Sequence, residues 1–69
     1  MKLSARNTLP GTVQEIVTGA VTSHVRIDIG GSIITASITN DAVKELGLKV
    51  GAKAAAVIKA TDVMVGVDD

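Results

Sequence analysis

The chain has no cysteine, no phenylalanine, tyrosine or tryptophan, and a single histidine and a single proline in 69 residues. Each shortage excludes something. Without cysteine there are no disulfides and no thiolate metal sites, which fits a reducing compartment. His24 stands alone, with no carboxylate cluster beside it, so it makes no zinc site. Without aromatic rings the core must be built from Val, Ile, Leu and Ala, which bury less area each, and single-stranded nucleic acid finds no rings to stack on. Seven basic residues offset seven acidic ones, so the excess of Lys and Arg that phosphate backbones require is also missing. No apolar run approaches the roughly 20 residues of a membrane span. No hydrophobic stretch of signal-peptide length follows Lys2, and a cytoplasmic protein is expected.

A chain of this length is one domain, 1–69. Domains this small bury only about 60% of the surface of the unfolded chain and need a staple. Disulfides and structural metals are excluded by composition, so self-association is the remaining route. Apolar residues make up 46% of the chain, a surplus that subunit interfaces could absorb.

Along the chain the pattern is that of strands. Pro10-Gly11 separates Ser4–Leu9 from the β-branched run Thr12–Val17, and Thr18-Gly19 follows as a turn. Val21, Ser23, Val25, Ile27 and Ile29 alternate with Thr22, His24, Arg26 and Asp28, the period of a strand with one buried face. Gly30-Gly31 supplies a hairpin turn, and Ile34, Ala36 and Ile38 line one side of the next strand. One short helix is expected next. Thr39 or Asn40 would cap it, Asp41 would sit in the first turn, Ala42, Val43 and Leu46 would form an apolar stripe, and Gly47 would end it. Ala52–Lys59 and Thr61–Val67 complete the count as two further strands. Alanine is depleted in strands, so Ala54-Ala55-Ala56 also admits a helical reading; small side chains there would let another backbone come close. Three strands, a helix and two strands suit an all-β fold, a five-stranded Greek-key barrel of the oligonucleotide-binding (OB) type with the helix between the third and fourth strands.

Two stretches carry chemistry. Ser4-Ala5-Arg6-Asn7 places a hydroxyl, a guanidinium and an amide together near the start. Val57-Ile58-Lys59-Ala60-Thr61-Asp62 sets a lysine and a threonine in an apolar run. Together they supply two fixed cations with hydroxyl and backbone donors, the inventory a small oxyanion needs. Plainer readings exist for each: a solvated terminal arginine, a lysine snorkelling off a barrel, ordinary strand or cap hydroxyls. No nucleophile with an adjacent base can be assembled, so catalysis is not expected.

The tetrapeptide Ser4-Ala5-Arg6-Asn7, with Gly19-Ala20-Val21-Thr22, Glu45-Leu46-Gly47-Leu48 and Lys59-Ala60-Thr61-Asp62-Val63-Met64, resembles the molbindins, small molybdenum-pterin-binding proteins, in order and spacing over essentially the whole chain. The resemblance implies the same OB-type barrel and a molybdate-binding protein for molybdenum storage or homeostasis, with molybdate as ligand, tungstate as its substitute and molybdopterin as an alternative cargo. It implies a hexamer built as a trimer of dimers, with the oxyanion between subunits. The matching positions are Ser4, Arg6, Thr39 and Lys59, with Ala5, Ala60 and Thr61 as further donors and no residue ligating the metal directly. Gly19, Ala20, Val21 and Thr22 resemble a second oxyanion site near a threefold axis; a plain turn is the competing reading. Ala42 stands where many relatives have serine, so one hydroxyl contact is lost or replaced by a helix N-terminal amide. Two other functions share this fold: a nucleic-acid-binding barrel of the cold-shock type, disfavoured by charge and the missing rings, and a molybdate-sensing module docking to a separate partner.

Overall fold

Alternation of side chains decides the centre of the molecule. In β2 (Thr22–Asp28) Ser23, Val25 and Ile27 are 1%, 1% and 5% exposed while Thr22, His24 and Arg26 face solvent. The computed structural model describes residues 1–68, and its other elements are β1 (Asn7–Thr18), β3 (Ile33–Thr39), α1 (Asn40–Glu45), β4 (Lys53–Ile58) and one 3₁₀ turn at Ala60–Asp62. The strands form one antiparallel sheet in the order β3-β2-β1-β4. Val13, Val25, Ile27 and Ala56 form the buried core, with Leu9, Ile16, Ile34, Ile38, Val43 and Leu48 packed around it.

β1 runs through Pro10-Gly11 without a break, where the sequence suggested a separation. The reason lies in its two-part pairing. Residues 7–12 pair with β4 and residues 12–18 with β2. Pro10 therefore lies in a half-strand with only one neighbour, where a missing N–H costs no ladder bond on the open side. Gly11 follows at the crossing point: an added Cβ would lie 2.4 Å from the Asp28 carbonyl oxygen and 2.8 Å from Ile27 Cγ2. A register shift between Val13 and Glu15 adds one residue to β1, which bends the strand. Crossing point and bulge together curl the sheet toward a barrel.

The β2–β3 hairpin turns on Gly30 and Gly31, with φ of 98° and 101°. Asp28 Oδ1 accepts from both amides at 2.9 and 3.3 Å, the self-contained turn chemistry of an Asx residue. Thr39 is the helix cap, its Oγ1 accepting from the Ala42 amide at 3.1 Å. Val43 reaches the core as expected. Leu46, expected in the apolar stripe, is 68% exposed, because the helix ends at Glu45 and the stripe is one turn long. The alanine run is a strand: Ala54, Ala55 and Ala56 pair with Gly11, Pro10 and Leu9. Its small side chains face the tightest stretch of β1.

The expected fifth strand, Thr61–Val67, is not formed. Ala60–Asp62 is a 3₁₀ turn, and residues 63–68 join no ladder among the described residues. A strand needs an edge to pair with, and neither edge strand, β3 or β4, pairs with this segment. Met64, Val65 and Val67 are consequently 93%, 91% and 86% exposed. The barrel stays open between β3 and β4, leaving a groove of about 710 Å³ lined by Ile34, Ala36, Ile38, Ala54, Ala56 and Ile58.

Candidate functional site

The register of β1 with β4 brings the two chemistry-bearing stretches together. Asn7 pairs with Ile58, and Asn7 Nδ2 donates to the Ile58 carbonyl at 3.2 Å. Arg6 immediately precedes one partner and Lys59 immediately follows the other. Ser4, Ala5 and Arg6 thus share one end of the sheet with Lys59, Ala60 and Thr61. Among the described residues the one ion pair is Arg26 with Glu15, at 2.8 Å and half exposed on both sides. Arg6 and Lys59 accordingly stand at this end without a carboxylate partner among the described residues. Asp62 lies in the same turn and makes no ion pair with either cation.

Backbone donors accompany them. Asp62 N donates to the Lys59 carbonyl at 2.8 Å and Val63 N to the Ala60 carbonyl at 3.3 Å. In a trans peptide the C=O and the following N–H point in opposite directions. Pinning the Lys59 and Ala60 carbonyls into the turn therefore aims the Ala60 and Thr61 amides outward. Neither amide has a backbone acceptor among the described residues.

Thr39 is not part of this group. It ends β3 and pairs with Thr22 at the start of β2, beside the Gly19–Thr22 turn. That turn follows Thr18, the far end of β1 from Asn7. Eleven steps of extended backbone at ~3.3 Å each span about 36 Å, and bending shortens this without bringing the ends together in a molecule whose longest dimension is 38 Å. The seven residues expected to share one oxyanion site therefore divide six to one within a single chain. Thr39 Oγ1 uses a lone pair on the Ala42 amide, so its O–H is still available to donate. The Ala42 amide, already bonded to Thr39, does not substitute for a hydroxyl at that position.

The Gly19–Thr22 turn is tied to the start of the helix by bonds that the sequence reading missed. Asn40, considered there only as an alternative cap, donates from its backbone N to the Val21 carbonyl at 2.8 Å and from Nδ2 to the Gly19 carbonyl at 3.0 Å. Ser23 donates its hydroxyl to Asn40 Oδ1. The available signal was Ser23 itself, a hydroxyl at an inward position in step with Val25 and Ile27; a buried hydroxyl demands a partner. Among the described residues no cluster of three or more His, Asp or Glu side chains could hold a metal ion. None of the helices among them is long and apolar enough to cross a membrane.

Comparison with known proteins places this donor-rich, carboxylate-poor sheet in a class. The TOBE domain model matches residues 3–65. A probable molybdenum-pterin-binding protein of Haemophilus influenzae is 54% identical over 69 residues, covering 99% of this chain and 100% of the relative. The structure of a molybdate-binding protein from Sporomusa ovata superposes with a TM-score of 0.91 at 43% identity, over 97% of this chain and 100% of that one. The cytoplasmic molybdate-binding protein ModG, with molybdate bound, superposes with a TM-score of 0.92 at 54% identity, over 99% of this chain and 49% of that one. The fold is thus the OB-type fold of the molbindins, mostly β with one short helix. The chain belongs to the TOBE-domain family of molybdenum-pterin-binding proteins.

Proposed function

We propose that this protein binds molybdate between subunits and serves as a cytoplasmic store or buffer of molybdenum, assembled as a hexamer of three dimers. The observation that carries the reading is the separation of Thr39 from Ser4, Arg6 and Lys59 at opposite ends of β1. One chain presents two incomplete half-sites. A second copy, bringing its Thr39 end against the Arg6–Lys59 end of the first, completes a cage of donors. Association also accounts for the apolar surplus: among the described residues twelve large hydrophobics are exposed, while the buried core is Val13, Val25, Ile27 and Ala56. The groove between β3 and β4 has the apolar lining to take the exposed Val63–Val67 segment of another copy. Such an insertion would supply the missing fifth strand.

Selectivity follows from the donor set. Molybdate is a tetrahedral dianion with no proton at neutral pH, so it accepts from every side. Lys59 and Arg6 offer charge, Ser4, Thr39 and Thr61 hydroxyls, and Ala5 and Ala60 amides. Hydrogen phosphate brings a proton that needs an acceptor, and none of these donor residues is a carboxylate. Sulfate has the right charge and shorter bonds, so it would leave gaps in a cage sized for molybdate; tungstate matches in both size and charge and is accepted. The Gly19–Thr22 turn forms a second class of site. Titration calorimetry with molybdate, tungstate, sulfate and phosphate, alongside solution mass and elemental analysis, tests the reading. The expected order is molybdate and tungstate together, then sulfate, then phosphate. Equal affinity for all four, or a monomer that retains no molybdenum, would overturn it.

A further inference from the structure

We infer that Asn40 is a positioning residue for the Gly19–Thr22 oxyanion site, held in its working orientation by the buried hydroxyl of Ser23; the inference rests on the molybdate-binding function proposed above. Asn40 opens the helix but its side chain turns back to the β1–β2 hairpin. Its amide group is oriented by two opposed demands. Oδ1 accepts from Ser23, which is 1% exposed and has no solvent to turn to. Nδ2 then faces the Gly19 carbonyl at 3.0 Å. A flipped amide would set Oδ1 against that carbonyl, two acceptors with no proton between them, so the orientation that donates to Gly19 and accepts from the Ser23 hydroxyl satisfies both partners.

What Asn40 holds are carbonyls, and what that delivers are amides. It takes the Gly19 carbonyl with its side chain and the Val21 carbonyl with its backbone N–H, at 3.0 and 2.8 Å. Every peptide among the described residues is trans. Drawing the Gly19 oxygen inward therefore turns the Ala20 N–H outward, while the bond to the Val21 oxygen fixes the other side of the turn. Neither Ala20 N nor Val21 N has a backbone acceptor among the described residues, and the residues 19–22 are all exposed. The turn cannot easily adopt another shape: Gly19 N donates to the Thr22 carbonyl at 2.8 Å, and an added Cβ at Gly19 would lie 2.8 Å from that same oxygen. A turn with both carbonyls held back and its amides presented is a donor surface for an anion with four oxygens and no proton. Asn40 touches no ligand in this arrangement. It acts through the peptide planes.

The test is a molybdate titration of ¹⁵N-labelled protein and of its Asn40→Ala and Ser23→Ala variants, following the Ala20 and Val21 amide signals beside calorimetry. In the parent protein both amides shift on binding. Asn40→Ala is expected to weaken the Gly19–Thr22 site at least tenfold and to abolish the Ala20 shift, with affinity at the Lys59–Thr39 site within twofold, since the Thr39 cap bond to Ala42 does not involve the Asn40 side chain. Ser23→Ala keeps the asparagine and loses its orienting donor, so the loss there is three- to tenfold. A purely structural role would lower the melting temperature of Asn40→Ala yet leave the Ala20 shift at saturation unchanged, and that result overturns the inference. If Asn40→Ala does not fold, an unchanged Ala20 shift in Ser23→Ala overturns it equally. Parent protein that binds at the Lys59–Thr39 site with Ala20 unmoved sinks this inference alone, whereas parent protein that binds no molybdate sinks the proposed function with it.

Discussion

Two damaged chains should repair each other if the oxyanion site is completed between copies. Lys59→Ala breaks one half-site and Thr39→Ala the other, and the two lie at opposite ends of β1. Each change removes a hydrogen bond to a charged ligand, a loss of about 1.5–3 kcal/mol; about 2 kcal/mol of that is roughly thirtyfold in affinity. With molybdate at about three times the Kd of the intact site, intact sites are roughly 75% filled and singly damaged ones about 9%. In a refolded equimolar mixture, sites drawing one half from each of two chains are intact in about one quarter of cases, singly damaged in about half and doubly damaged in about one quarter. Average filling then rises to about 23%, some two and a half times that of either variant alone. The assay is co-refolding from denaturant, removal of free anion by rapid filtration and molybdenum determination per chain. Were the site built within one chain, mixing would create no intact sites and filling would stay at about 9%. A mixture that binds no more than the mean of its parents refutes the reasoning.

Gly11→Ala should destabilise the protein by about 1–3 kcal/mol, the cost of forcing a methyl into packed surroundings, because the new Cβ would meet the Asp28 carbonyl at 2.4 Å. For a domain of this size each kcal/mol moves the melting temperature by roughly 4–8 °C; a change smaller than about 2 °C in a thermal melt would mean the β1 crossing is looser than described. Ending the chain after Asp62 removes the exposed Val63, Met64, Val65 and Val67 and should shift the protein from oligomer to lower mass by light scattering. Retention of the full assembly would show that the segment is not its clasp.

Much of the fold was legible in order of residues alone. Alternation marked β2 and β3 because a side-chain period of two leaves little freedom once one face is buried. Thr39, Asp41 and Gly47 marked the helix because its ends must satisfy their own backbone groups locally. The failures share a different origin. Pro10-Gly11 looked like punctuation because a proline's tolerance depends on whether a second strand lies beside it, and sequence does not say. Thr61–Val67 has the composition of a strand, yet composition does not supply an edge to pair with.

The candidate site divides along the same line. Residue types and spacing determined that this chain has donors for an anion and no disulfide or aromatic core to stand on; these are properties each residue carries wherever it lies. Which donors meet was decided only by tertiary structure. The 7–58 register joins Arg6 to Lys59 across fifty residues, and the length of β1 sends Thr39 to the other end. The Ser23–Asn40 bond likewise exists only because the β2–β3 pairing sets the helix start beside the hairpin. Distance in space between residues far apart in the chain is fixed by pairing and curvature, and those emerge from the whole set of strands rather than from any one stretch.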